Sequence, residues 1–322
     1  MEKVQIKNTD LKPSQLCLGG GVFCDSSREK ECFYLLDYFF ERGGNFVDTA
    51  NIYGKWLKEG TSSSEIMIGN WMKSRNNSHK MVVTTKGAHP HLATMHISRL
   101  AKAELQADIE ESLQSMQVEK IDLYWLHRDD VLRPVEDIIE SLNEFIQQGK
   151  IGYIGTSNWT AARIKEANEY AKSKDLQGFA ANQPLWSLAR ADMNLIKDKT
   201  LTNMDEAMLA LHKESCMAAI PYSSQASGFF QKLSEGKADS ERFEAYNHAE
   251  NIARLPKLEK LEQEKNKSVN QIALAYLLNQ PFTTIPIVGC TTVEKLEESM
   301  GATDIVFTNE QLQYLEGTES RI

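Results

Sequence analysis

Asn45-Phe-Val-Asp48, Met81-Val-Val-Thr-Thr-Lys86 and Ile121-Asp-Leu-Tyr-Trp-Leu-His127 are short apolar runs, each ending in a side chain that can carry charge or a proton. The polar ends lie 38 residues apart (48 to 86) and 41 apart (86 to 127), and each interval holds one helical pattern. Short β-branched and aromatic runs alternating with helical patterns read as strands of βαβ units in a parallel sheet. In a closed parallel sheet, the C-terminal strand ends gather at one rim, and functional side chains collect there. Asp48, Lys86 and His127 are therefore expected to converge.

The same alternation extends in both directions. Leu16-Cys-Leu-Gly19 reads as the first strand, ending in Gly19-Gly20-Gly21 and followed by a helix over roughly 28–42. Ile151-Gly-Tyr-Ile-Gly155, Phe179-Ala-Ala-Asn182, Met217-Ala-Ala-Ile220 and Thr284-Ile-Pro-Ile-Val288 supply strands five to eight. Leu105, Ile109, Leu113 and Met116 form a helical stripe. Pro134 opens another helix, with apolar residues at 135, 138, 139, 142, 145 and 146. Ser62 to Glu65 and Ser268 to Gln271 have the spacing of capping boxes. Residues 3–13 read as a small cap before the first strand. The expectation is an α/β fold, a (β/α)8 TIM barrel, with residues 1–322 as a single domain. The rival, an open doubly wound sheet, would want Gly-x-Gly-x-x-Gly after the first strand, and the chain has none. The polar stretch 231–251 follows strand seven, so it belongs to the active rim. It is expected to be a lid-like loop over a ligand, with a solvated insertion as the other reading.

The 322 residues are 41% hydrophobic and 25% charged, a composition that suits a large soluble core. The net charge of −9 argues against nonspecific binding to nucleic acid or to anionic membranes. No run of about 18 apolar residues appears, and the first residues carry no apolar signal core. Five cysteines, at 17, 24, 32, 216 and 290, form no CxxC and read as reduced thiols of a cytoplasmic protein. His89, His91 and His96 make an uncommon cluster, but no second set of His and carboxylates completes a metal site, so no metal is expected.

Tyr53 lies five residues beyond Asp48 and can fold back over the barrel mouth. A phenol is a sluggish acid near neutral pH, but an adjacent ammonium favours the phenolate and lowers the phenol's pKa. Lys86 is the ammonium in reach. Asp48 can pair with it and offset its buried charge. His127 can donate to a substrate oxygen and orient it. A carboxylate, a phenol, an ammonium and an imidazole at one rim suit the reduction of a carbonyl, with Tyr53 as general acid.

At this level of detail the chain resembles the aldo-keto reductase family over nearly its whole length. Gly44-Asn-Phe-Val-Asp48-Thr-Ala-Asn-Ile-Tyr53-Gly is similar to the family's Asp–Tyr segment, Val83-Thr-Thr-Lys86 to its lysine strand, and Leu123-Tyr-Trp-Leu-His127 to its histidine strand. Gly155-Thr-Ser157-Asn158, Asn182-Gln183-Pro and Pro221-Tyr222-Ser223 resemble its nicotinamide-binding segments. The resemblance implies a barrel that binds NADPH without a Rossmann domain and passes a hydride to a carbonyl carbon. It implies that Ser157, Asn158 and Gln183 hold the carboxamide and that Tyr222 stacks on the ring. It also implies that Ser223 to Gly228 cradle the pyrophosphate, while Gly289, Lys295, Glu298 and Ser299 face the adenosine end. Departures from the family's pattern stand out. Gly289-Cys-Thr-Thr292 has no cation for a 2′-phosphate, so Lys295 is the first available and NADH use stays open. Glu298-Ser299 replaces a Glu-Asn pair. The segment after Tyr222 also lacks the usual proline and leucine.

Candidate substrate contacts are Trp56, His89, Trp186 and Arg190, with Phe23 and Trp159 as further rim residues. Trp56 can stack on a sugar or on an aromatic carbonyl compound. The expected substrate is a small aldehyde or ketone, carbohydrate-derived compounds included. The alternative is a cofactor-binding regulatory or interaction protein of the same fold, as in the potassium-channel β subunits that resemble this family. Nothing in the sequence fixes the oligomeric state.

Overall fold

The computed structural model describes residues 1–318. Eight strands form one parallel sheet: β1 (Cys17–Gly19), β2 (Phe46–Asp48), β3 (Val82–Gly87), β4 (Ile121–Leu126), β5 (Ile151–Ser157), β6 (Ala181–Gln183), β7 (Ala218–Ala219) and β8 (Ile287–Val288). Neighbours follow chain order, and β8 pairs with β1. Ala219 bridges to Thr284, and the Ile287 N–H donates to the Pro221 carbonyl, so the eighth segment also meets the seventh and the sheet closes. The α/β barrel expected from the alternation is the fold. Its seventh and eighth strands are shorter than the apolar runs suggested.

Between the strands run α1 (Glu29–Glu41), α2 (Ser63–Arg75), α3 (Lys102–Met116), α4 (Val135–Gln147), α5 (Ala161–Ser173) and α6 (Glu206–Ser215). After β7 come α7 (Phe229–Ser234), α8 (Ala249–Ile252), α9 (Leu255–Lys265) and α10 (Val269–Leu278), and after β8 come α11 (Val293–Met300) and α12 (Asn309–Glu316). Apolar side chains pack in two clusters. A small inner one joins Phe46, Leu123, Trp125, Ala181, Ala218 and Ile285, and a large outer one lies between sheet and helices. Period-two alternation along each strand produces this division. Ile6 and Leu11, from the N-terminal cap, join the inner cluster and plug the bottom of the barrel. Gly155 admits the Trp125 ring, since a β-carbon there would lie 2.4 Å from it.

The capping box at Ser268–Gln271 forms. The one expected at Ser62–Glu65 does not. The Ser62 hydroxyl donates instead to the Asn51 carbonyl (2.7 Å). Glu65 turns inward, where its carboxylate accepts from the Thr85 hydroxyl (2.5 Å) on the outer face of β3. Burial raises its carboxyl from the ordinary 4.5 to about 7. The folded chain therefore holds a proton that the unfolded chain has released, so this group removes stability as pH rises from about 4.5 to about 7. The effect is on the order of 3 kcal/mol. Glu65→Gln keeps an oxygen for Thr85 and is expected to flatten that part of the curve. Denaturant midpoints of both proteins at pH 5 and pH 8 check it; equal pH responses would remove Glu65 as the source.

The stretch 231–251 is more structured than its polarity suggested. Phe243 and Tyr246 pack against Phe229, at ring-centroid distances of 6.0 and 6.1 Å. Asn251 is buried and donates to the Arg190 carbonyl (2.8 Å). The Asp192 N–H bonds the Ala245 carbonyl (2.7 Å). These bonds tie the segment to the loop after β6.

Candidate active site

The strand register sets the geometry. Asp48 lies beside Gly19 and Thr84, Lys86 beside Trp125, and Ser157 beside Gln183. Thr84 and Lys86, two apart on β3, project to the same side, and Thr85 projects to the other. Lys86 Nζ lies 2.5 Å from Asp48 Oδ2 and also donates to the Thr49 carbonyl (2.7 Å). Asp48 Oδ1 accepts from the Thr84 hydroxyl (2.8 Å) and from Gln183 Nε2 (2.7 Å). Both ends of the ion pair are buried, at 4% and 3% side-chain exposure. Burial alone would push the Lys86 ammonium down; the Asp48 carboxylate and Tyr53 outweigh it and hold the group above its usual value.

Tyr53 reaches this pair from the loop after β2. The Asn51 N–H donates to the Lys86 carbonyl (2.9 Å), and the Lys55 ammonium donates both to the Asn51 side chain and to Glu111 on α3 (2.7 Å each). The Lys86 ammonium lies 4.9 Å from the centre of the Tyr53 ring. The rings of His127 and Trp56 each lie 6.0 Å from it, edge-on. The four residues expected to converge do so, around one phenol.

His127 follows β4 and is buried. Desolvation first, then the Lys86, Arg128 and His89 charges, push its imidazole well below the ordinary range, so the ring is neutral near pH 7. Its Nδ1 has no hydrogen-bond partner among the described residues. A bare lone pair is a cheaper orphan than an N–H, which favours the tautomer with the proton on Nε2. Arg128 carries no motif that marks it in the sequence. It donates to Asp198 (2.9 Å), Thr200 (2.7 Å) and the His127 carbonyl (2.8 Å), and so fixes the backbone at the end of β4. Its position directly after His127 was the one available signal.

Ser157, Asn158, Gln183 and Tyr222 come together on the next strand ends. Ser157 donates to the Gln183 carbonyl (3.0 Å), and Asn158 donates to the His127 carbonyl (3.1 Å). Tyr222 donates to Asn158 Oδ1 (2.8 Å). Gln183 Oε1 is buried without a partner among the described residues. It suits a carboxamide N–H from a bound nicotinamide, because buried acceptors are rarely left empty. Beyond Tyr222, Ser223, Ala226, Ser227 and Gly228 all have positive φ, 46° to 82°. The Ala226 and Gly228 N–H groups are spent on the Ser223 and Gln225 carbonyls (2.8 and 2.7 Å), so this turn is closed on itself. At the far end Lys295 is exposed and donates to Thr291 (3.2 Å), Gly289 is exposed, and Ser299 is buried against Gln225 (3.2 Å). Glu298 accepts from Ser268 (2.8 Å) at the start of α10.

The candidate substrate contacts divide. Trp56 is half-exposed beside Tyr53, and His89 sits edge-on to His127 at 4.8 Å. Trp186 does not open onto that cluster. It stacks on Phe282 (6.1 Å) and meets Tyr276 on α10 edge-on (6.2 Å), within the outer core. Phe23 and Trp159 are also fully buried there, the latter donating to the Arg128 carbonyl (3.2 Å). An apolar residue just past a strand end can turn outward into the helix layer as readily as over the mouth, and spacing alone does not tell these apart. Arg190 is exposed and pairs with Glu250 (3.0 Å) at the edge of the segment after β7. Among the described residues, no group of His, Cys, Asp and Glu is arranged to hold a metal ion.

A family model for the aldo/keto reductase family matches residues 15–319, and the chain belongs to that family. It is an NAD(P)H-dependent oxidoreductase acting on small carbonyl compounds. It is similar to norsolorinic acid reductase B of Dothistroma septosporum, with 27% identity covering 95% of this chain and 78% of that protein. It is also similar to a putative aryl-alcohol dehydrogenase of Saccharomyces cerevisiae, AAD14 (28% identity, 98% of this chain and 85% of that protein). An aryl-alcohol dehydrogenase [NADP(+)] of Phanerodontia chrysosporium is 29% identical over 89% of this chain and 75% of its own. Among solved structures, a thermostable aldo-keto reductase, Tm1743, in complex with the inhibitor epalrestat superposes with a TM-score of 0.73 at 23% identity, over 99% of this chain and all of that one. No helix among the described residues is long and apolar enough to cross a membrane.

Proposed function

We propose that the protein reduces aromatic aldehydes or ketones to alcohols with NADPH, at the cluster of Tyr53, Lys86, Asp48 and His127. The observation that carries this reading is the buried Lys86 ammonium, paired to Asp48 and set 4.9 Å from the Tyr53 ring centre beside a neutral imidazole. NADPH, when bound, supplies the hydride. The Tyr53 hydroxyl gives its proton to the carbonyl oxygen, and the Lys86 charge stabilises the phenolate left behind. His127 Nε2–H donates to the same oxygen and fixes its position without competing as the acid. Asp48 keeps Lys86 in place and is itself held by Thr84 and Gln183. Between the aromatic and carbohydrate-derived carbonyls weighed from the sequence, Trp56 beside Tyr53 supports the aromatic class. So does the likeness to aryl-alcohol dehydrogenases and norsolorinic acid reductases.

Lys295, solvent-exposed, is the cation at hand for a 2′-phosphate. An exposed ion pair is worth about 0–1 kcal/mol, so NADPH is expected to bind at most about fivefold tighter than NADH. A tryptophan-fluorescence titration with each cofactor, followed by benzaldehyde at saturation, tests the reading. Binding with nicotinamide oxidation supports it. Binding without turnover of any aryl aldehyde moves the protein to a regulatory role. Failure to bind either cofactor removes the assignments of Ser157, Asn158, Gln183 and Tyr222.

A further inference from the structure

His89 is held by more structure than a pocket wall needs. It follows Ala88, whose φ of +61° is a left-handed conformation that a non-glycine residue adopts only under constraint. The constraint is a buried ion pair. Asp108 on α3 accepts from the Ala88 N–H (2.8 Å) and makes a two-pronged bond to Arg99 (2.7 and 2.9 Å). Arg99 also donates to the His89 carbonyl (3.2 Å). The side chains of this pair are 12% and 4% exposed, so solvent does little to loosen it. The clamp sets the His89 ring edge-on to His127.

The ring's proton is also placed. His89 Nδ1 lies 2.7 Å from the Pro90 carbonyl oxygen, which can only accept, so Nδ1 carries the hydrogen. In a neutral imidazole the other nitrogen is then a lone-pair acceptor. Nε2 has no hydrogen-bond partner among the described residues. The nitrogen left free beside the catalytic imidazole therefore cannot help polarise a carbonyl, since it has nothing to donate. It can receive a hydrogen bond.

We propose that His89 is a specificity residue that accepts a hydrogen bond from an O–H group on the substrate, so that the preferred substrates are hydroxylated aromatic carbonyl compounds. The inference rests on the carbonyl oxygen lying between Tyr53 and His127; the hydroxyl then stands on the ring positions facing His89. Arg99 and Asp108 are positioning residues that act through the Ala88–His89 backbone. Burial lowers the imidazole's proton affinity, so the acceptor persists below the ordinary imidazole range and disappears only in more acid solution.

The test compares the three hydroxybenzaldehydes with the methylbenzaldehydes of the same substitution. At least one hydroxyl isomer is expected to show a kcat/KM about tenfold above its methyl partner, the worth of one good hydrogen bond. His89→Phe is expected to bring that ratio to about one, His89→Gln, which keeps an acceptor oxygen, to retain part of it, and Asp108→Asn to lower it. A ratio that stays the same in His89→Phe, or is near one in the wild type for all isomers, overturns the proposal. Calorimetric affinities of the NADP+-loaded protein for the same hydroxy- and methylbenzaldehydes, a pairing with no hydride to transfer, supply the same ratio without turnover. Failure to oxidise NADPH with any aldehyde would then count against the reductase reading alone, and the affinity ratio would still decide the role of His89.

Discussion

Tyr53→Phe is expected to lower kcat about a hundredfold to ten-thousandfold, the range over which a positioned general acid contributes. The affinity for NADPH should stay as it was. The substitution removes one hydroxyl and keeps the ring, so the edge contacts with Trp56 and His127 and the place beside Lys86 survive. The residue is only partly buried, so the thermal midpoint should barely move. Single-turnover mixing with saturating cofactor separates the chemical step from product release. A slow step of unchanged rate in the variant would remove Tyr53 as the proton donor. A rate loss accompanied by weaker cofactor binding would point to a displaced loop, whose anchors are Asn51 on the Lys86 carbonyl and Lys55 on Glu111.

The barrel was legible because its strands are short, apolar and spaced by one helix, and because each polar residue falls where the apolar run stops. The convergence of Asp48, Lys86 and His127 follows from that topology alone. Tyr53 lies in a loop, where the end of an apolar run places no side chain, yet Lys55 and Ser62 both bond Asn51 within that loop and hold the phenol beside the lysine. What the sequence did not disclose is which way a side chain turns after a strand ends. Trp56 stays over the mouth, while Trp159 and Trp186 turn into the helix layer. Glu65 satisfied the spacing of a capping box, but a buried hydroxyl on β3 competed for its carboxylate and won. The ion pair of Arg99 and Asp108 spans only nine residues, and nothing in the local pattern marks it as the support for His89.

Lys86→Met should be the most destabilising of the single substitutions at the site. The methionine fills most of the lysine's volume, so no large cavity opens. What remains is a buried Asp48 carboxylate that has lost its counter-charge. Removing one partner of a buried pair costs about 3–5 kcal/mol. The Thr84 and Gln183 donors persist and soften the loss without cancelling it. Adding Asp48→Asn removes the stranded charge while keeping an amide oxygen for those two donors. The double variant is therefore expected to regain most of the stability, because a pair replaced on both sides leaves no uncompensated ion. It should regain none of the activity, since no ammonium remains to stabilise a Tyr53 phenolate. Urea midpoints of the two single variants and the double, read beside their turnover numbers, separate the two roles of the pair. A double variant as unstable as Lys86→Met would mean that the lysine stem and its bond to the Thr49 carbonyl, rather than the charge on Asp48, hold the barrel mouth together. A double variant that still turns over would place the source of the phenol's activation outside this pair.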